Sequence, residues 1–224
     1  MQIIIITGFN NGNRPHLGEE KGIQRPLSKE WIQYRYNIWK KFTLQSMLNQ
    51  TYKDWIWVIK CHSKSKNITK GLFYQHDRRI NESHSEKNQK RTISEFDDVL
   101  LIQLASDDMY RKDAIEEFHK AALIQQREFY LCNTGYILDL SNLNLAKYDK
   151  NSPPFYARLV NGKEHGMLRI GMKHRRVKKE NPYIMPGNMY MVGIHEQNTS
   201  SRMAIQTGKV PKKKWSEILK GFGV

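Results

Sequence analysis

Two adjacent carboxylates, Asp107 and Asp108, follow directly on an apolar run containing Val99, Leu100, Leu101, Ile102 and Leu104. A short, nearly continuous hydrophobic segment of this kind suits a strand buried on both faces of a sheet. The acids then fall at its carboxyl end, where the loops of an open α/β sheet converge and ligands collect. Carboxylate oxygens there suit a hard cation such as Mg2+ or Mn2+, which takes one or two acids and leaves its other positions to water and phosphate oxygens. The structural alternative is that the two acids only open the helix expected over 111–127, since negative charge favours a helix N-terminus. His195, after the apolar stretch 189–194, is the other candidate ligand, because a neutral imidazole can join carboxylates on Mn2+. A lone histidine beyond a strand is more often simply packed or hydrogen-bonded.

The elements that must hold these residues are legible in part. Ile3, Ile4, Ile5, Ile6 and Thr7 predict a buried first strand, and Gly8 and Gly12 break it into a loop that is itself a ligand candidate. Residues 13–27 read as an irregular excursion. Ser28 can cap a helix whose apolar face is Trp31, Tyr34, Ile38 and Phe42, continuing less cleanly to Met47 and Leu48. Trp55, Ile56, Trp57, Val58 and Ile59 form a second strand, so the order is strand, helix, strand and the expected sheet is parallel. The polar stretch 63–91 predicts loops with one helix near 68–76. Ala114, Ile115, Phe118, Ala121 and Ala122 give a further helix, and Phe129 opens a strand for which 134–139 is either the continuation or a hairpin partner. Residues 152–156 read as a rigid turn, 173–179 as a basic run and 189–195 as a strand.

The 224 residues suffice for one large domain, and the formal charge of +15 with a pI near 9.7 favours an anionic partner: nucleic acid, an anionic polymer or a membrane surface. Two distant cysteines, Cys61 and Cys132, have neither metal-ligand spacing nor a disulfide pattern, which predicts a reduced, cytoplasmic setting. No stretch reaches the length of a membrane span, leaving peripheral membrane contact as the most that composition allows.

Three stretches together resemble the GT-A glycosyltransferases, and more closely the bacterial putative rhamnosyltransferase family. They are Trp31-x-x-Tyr-Arg35 followed by the 42–55 segment, Leu104-Ala-Ser-Asp-Asp-Met-Tyr110 as a local form of the DxD signature, and a late His195-x-x-Asn198-x-Ser200 element. The resemblance implies a Rossmann-like, mostly parallel sheet flanked by helices, with a nucleotide-sugar half over about 1–110 and an acceptor half with a smaller β region over about 111–224. It also implies a metal-dependent transferase. Thr7, Phe9, Asn10, Ser106 and Asp107 would lie against the nucleotide-sugar donor; Asp107, Asp108 and His195 would hold Mn2+ or Mg2+. Lys173, Arg175, Arg176, Lys178 and Lys179 would meet a polyanionic acceptor such as a polysaccharide, a teichoic acid-like polymer or modified phage DNA. An inverting enzyme would need a general base, for which Glu196 and Asp139 are the candidates. The rival is a GT-A-like protein that binds nucleic acid or an anionic polymer without catalysis. It draws on the charge and on Ala105, which replaces the motif's first aspartate.

Overall fold

The computed structural model describes residues 1–10, 27–150, 153–198 and 208–224, with only the main chain of His174. Except for Leu27, the excursion expected over 13–27 lies outside the described residues, as do Ser152 and Ser200. In chain order the strands are β1 (Gln2–Gly8), β2 (Trp55–Lys60), β3 (Ile80–Ser83), β4 (Asp98–Gln103), β5 (Met109–Tyr110), β6 (Phe129–Leu131), β7 (Gly135–Asp139), β8 (Leu145–Lys147), β9 (Tyr156–Asn161), β10 (Tyr183–Ile184), β11 (Tyr190–Ile194) and β12 (Gly208–Lys209). The principal helices are α1 (Lys29–Ile38), α2 (Leu44–Leu48), α3 (Glu86–Ser94), α4 (Ala114–Gln125) and α5 (Trp215–Gly221).

The larger sheet runs β10-β6-β9-β4-β1-β2-β3, and its β4-β1-β2-β3 part is parallel, as expected. Its faces follow from the two-residue strand period. Ile3, Ile5, Trp57, Leu100 and Ile102 face α1 and its aromatics. Ile4, Ile6, Val58, Val99 and Leu101 face the opposite way, onto Leu168, Ile170 and Val177. Because both faces are covered, β4 needed no alternation.

Four features depart from the sequence reading. β3 and α3 occupy the stretch expected to be mostly loop, and single helical turns replace the helix near 68–76. The predicted turn at 152–156 leads into β9, which inserts antiparallel between β4 and β6. Its partners are distant in sequence, and Tyr-Ala-Arg-Leu-Val-Asn carries only a weak pattern of its own. Residues 135–139 neither continue β6 nor pair with it. They form β7 of a second sheet, β12-β8-β7-β11-β5, bonded to β8 and β11.

Ser28 caps α1 as expected, its Oγ accepting from the Trp31 N–H at 3.1 Å. The spacing blurs beyond Ile38 because Trp39–Thr43 is a π-helical turn, which inserts a residue into the helical period before α2. Ile38 and Phe42 pack with Leu138, Leu145 and Met191 of the second sheet and with Phe222 after α5. The first helix therefore bridges the two sheets.

Both cysteines are free and buried. Burial pushes the Cys61 thiol up to about 12 and raises Cys132 as well. Since the thiolate is the reactive form, a disulfide reagent at pH 8 is expected to leave the native chain unlabelled and to titrate both thiols after denaturation. Fast labelling of the native chain would show that one of them is reachable. No described helix is long and apolar enough to cross a membrane.

Candidate active site

The carboxyl end of β4 is where the site residues meet. Asp107 and Asp108 follow β4, Arg35 reaches in from α1, and His195 and Asn198 arrive at the end of β11. Asp107 Oδ2 accepts from Arg35 Nη1 at 2.9 Å, from Asn198 Nδ2 at 2.9 Å and from His195 Nε2 at 3.2 Å. Arg35 Nη2 donates to Ser106 Oγ at 2.6 Å, and Nη1 also lies against His195 Nε2. The far side of the imidazole is held too: Nδ1 accepts from the Gln197 N–H at 3.2 Å and lies 3.2 Å from the Tyr34 hydroxyl. A backbone N–H can only donate, so Nδ1 accepts from Gln197, while Nε2 faces both the Asp107 carboxylate and the Arg35 guanidinium. Asn198 closes the turn by accepting from the His195 N–H through Oδ1.

The two acids have opposite characters. Burial alone would raise the Asp107 carboxyl, but the Arg35 charge and the bonds from His195 and Arg35 outweigh it and hold Asp107 well below the usual carboxylate range. Asp108 is pushed well above that range by burial and by the neighbouring Asp107 charge, with the Gly193 N–H opposing the rise. Its Oδ1 accepts that N–H at 3.1 Å, so Asp108 braces the loop against β11. Gly193 permits the approach: a Cβ there would stand 2.0 Å from the Asp107 carbonyl oxygen.

Of the expected metal set, Asp107 and His195 come together and Asp108 turns to β11. Among the described residues no group of three or more His, Cys, Asp or Glu side chains could hold a metal ion. Asp107 Oδ2 already takes three donors, one of them a guanidinium. The residues as arranged do not fit a three-ligand Mn2+ or Mg2+ centre.

The donor residues divide in the same way. Ser106 and Asp107 belong to the cluster. Thr7 is buried and accepts the Trp57 indole N–H at 2.9 Å, and Asn10 ties the end of β1 to the 62–65 turn through His62 N–H and Ser65 Oγ, each at 2.8 Å. Phe9 is 3% exposed and packs edge-on against Phe73 and Trp31, so its ring belongs to the core and offers no face to a base. Arg175, Arg176, Lys178 and Lys179 are exposed on single helical turns away from the cluster, whereas Lys173 lines a separate cavity.

A cleft of about 840 Å³ opens beside His195, with Tyr34, Lys41, Asp139, Ser141 and Glu196 on its walls. Both candidate bases therefore reach it. Asp139 is committed to its own turn: Oδ1 accepts from Ser141 N–H and Oγ–H, and Oδ2 accepts from Asn142. Burial would raise its carboxyl, but these bonds prevail and hold it below its ordinary value. Glu196 is exposed on the wall of the cleft.

Arg35 is the site residue that sequence reasoning missed. A signal was present: it lies one helical turn after Trp31, on the apolar side of α1, and a buried arginine needs an anionic partner.

No family model matches the chain, and no curated protein matches it in sequence. Among solved structures, S. aureus TarS 1-349 in complex with UDP-GlcNAc aligns over 99% of this chain and 71% of that one, at 9% identity and a TM-score of 0.50. The same fragment without a named ligand aligns over 86% of this chain at 11% identity and a TM-score of 0.47, and the chain spans only 60% of its length. Its UDP complex covers 99% of this chain and 70% of that one, at 9% identity and a TM-score of 0.48. At such identities the likeness is one of fold, and the chain has a mixed α/β fold of the GT-A type.

Proposed function

We propose that this protein is a glycosyltransferase that moves a sugar from a nucleotide-sugar donor to an acceptor hydroxyl, with a polyanionic acceptor. The observation that supports it most is the convergence of Arg35, Asp107, His195 and Asn198 at the carboxyl end of β4, beside the 840 Å³ cleft. The fold shared with TarS, whose structure was determined with UDP-GlcNAc, supports the donor class. In the reaction the acceptor oxygen attacks the anomeric carbon, the bond from that carbon to the diphosphate breaks, and the diphosphate leaves with added negative charge. A preorganised cation is worth most at that point, in a site shielded from water. Arg35 is that cation, held in place by Asp107 and Ser106. Glu196 on the cleft wall takes the acceptor proton, because Asp139 is occupied by its turn. No step is routed through a divalent ion, because Asp107 Oδ2 is already engaged by Arg35, Asn198 and His195.

The test is a thermal-shift panel of UDP-, GDP-, dTDP- and CMP-sugars, followed by turnover of whichever binds. A ligand at a hundredfold excess over its Kd adds about 2.7 kcal/mol to the folded state, so a true donor raises the melting temperature. Asp107→Asn is expected to lower turnover by about 10²-fold or more, since it removes the charge that positions Arg35. Silence with every donor, combined with a shift on adding DNA or an anionic polymer, would favour a non-catalytic binding protein, which the charge of +15 also suits.

A further inference from the structure

A second cavity, of about 380 Å³, lies on the other face of the parallel strands. On that face Ile4 and Ile6 of β1, Val58 of β2, and Val99 and Leu101 of β4 are apolar and buried. One step further toward the carboxyl ends, the same alternation reaches Gly8, Lys60 and Gln103. The register sets Gly8 beside Lys60 and Ile6 beside Gln103, so two polar side chains flank the end of β1 at one edge. Segment 168–173 roofs them. Leu168 and Ile170 anchor it in the apolar cluster, the Tyr156 hydroxyl donates to Met172 O at 2.8 Å, and Arg158 Nη1 donates to Ile170 O at 2.9 Å.

Three cations line the cavity, Lys60, Arg169 and Lys173, and no carboxylate among the described residues does. Lys60 is half-buried, and among the described residues its ammonium donates to one carbonyl, Leu168 O, at 3.2 Å. Burial lowers its pKa; Glu86 in the adjoining recess opposes the shift, and the Arg169 charge adds to it. A half-buried ammonium whose described partner is one carbonyl, beside the exposed Arg169 and Lys173, offers an oxyanion three positive charges on one cavity wall.

We propose that this cavity is a binding site for a phosphate-type oxyanion, with Lys60, Arg169 and Lys173 as its cationic ligands and Gln103 as a neutral donor. It lies on the opposite face of the sheet from α1 and Arg35, and it does not depend on glycosyl transfer. The chemistry is shared by a nucleotide's diphosphate and by the phosphodiesters of a polymer.

The test measures binding of inorganic pyrophosphate and of a short oligo(glycerol phosphate) by calorimetry. The proteins are the wild-type chain, Arg169→Gln/Lys173→Gln, and the exposed control Lys212→Gln/Lys213→Gln, which removes the same charge elsewhere. Asp107→Asn reports on the other site. At least one probe is expected to bind wild type and the control alike, and to lose about tenfold or more in affinity in Arg169→Gln/Lys173→Gln. Tighter binding of pyrophosphate would point to a diphosphate source and tighter binding of the oligomer to a phosphodiester; either supports the site. Failure of both probes to bind wild type would overturn it. So would unchanged affinity in Arg169→Gln/Lys173→Gln, an equal loss in the lysine control, or a loss confined to Asp107→Asn. Because calorimetry needs no turnover, a negative donor panel leaves this result standing.

Discussion

Replacing Arg35 with methionine is expected to destabilise the protein by roughly 3–5 kcal/mol and to reduce glycosyl transfer by about 10²-fold or more. The pair Arg35 Nη1–Asp107 Oδ2 spans 2.9 Å between side chains only 10% and 11% exposed. Breaking it leaves Asp107 as a buried anion without its guanidinium partner, beside Asn198 and His195. For a domain whose total stability is about 5–15 kcal/mol, that is a large share. Denaturant midpoints measure the first effect and initial rates the second. Arg35→Lys separates charge from geometry: an ammonium restores the charge but cannot bond Asp107 and Ser106 at once through a planar fork. It should recover stability more fully than rate. On the proposed mechanism, in which Arg35 supplies the cation, donor binding by wild type is expected to survive EDTA. Loss of binding in EDTA, restored by Mn2+, would return a divalent ion to the site. An Arg35→Met variant with native stability and rate would remove Arg35 from it.

Gly193→Ala should be nearly as damaging although it adds one methyl group. The new Cβ would lie 2.0 Å from the Asp107 carbonyl oxygen and 3.1 Å from Leu140 Cδ1. The first obstacle is backbone, so no rotamer change relieves it, and β11 must draw back from the loop after β4. Overpacking of this kind costs about 1–3 kcal/mol and occasionally more. At this chain length that corresponds to a fall in Tm of roughly 2–12 °C. The retreat also breaks the Gly193 N–H bond to Asp108 and carries His195, two residues on, away from Asp107. A displacement near 1 Å at reacting groups can cost about 10²-fold in rate. Gly221→Ala is the control, since nothing lies within 4 Å of its added Cβ. Equal behaviour of the two variants in melting and rate would mean that the approach of β11 to Asp107 tolerates a side chain.

The two variants also mark which parts of the site sequence reasoning could reach. Asp107 and His195 were legible because their types and their positions after apolar runs announce them. Arg35 stood in the sequence as the end of the Trp31-x-x-Tyr-Arg35 motif, but nothing local paired its charge with Asp107. Phe9 erred in the other direction: an aromatic at the end of a buried strand suits a base as well as a core, and only Trp31 and Phe73 beside it decide between them. The basic run was visible, but nothing in its spacing separated Lys173, which lines a cavity, from the equally exposed Lys178 and Lys179, which do not.

By itself the sequence determined the parallel core and its direction. Ile3–Ile6, Trp55–Ile59 and Val99–Ile102 bury on both faces whatever else surrounds them, and Ser28 starts α1 through a bond made within its own first turn. Those are local consequences of hydrophobic pattern and capping. Only the tertiary structure decided that β9 slips antiparallel between β4 and β6, and that 135–139 leaves β6 for a second sheet. It also set Arg35 rather than Asp108 beside Asp107 and His195. Apart from the short-range β7–β8 pairing, these depend on partners 25 to 160 residues away, and the pairing of a weakly patterned strand or a buried charge is set by the partner's position, which no local window contains.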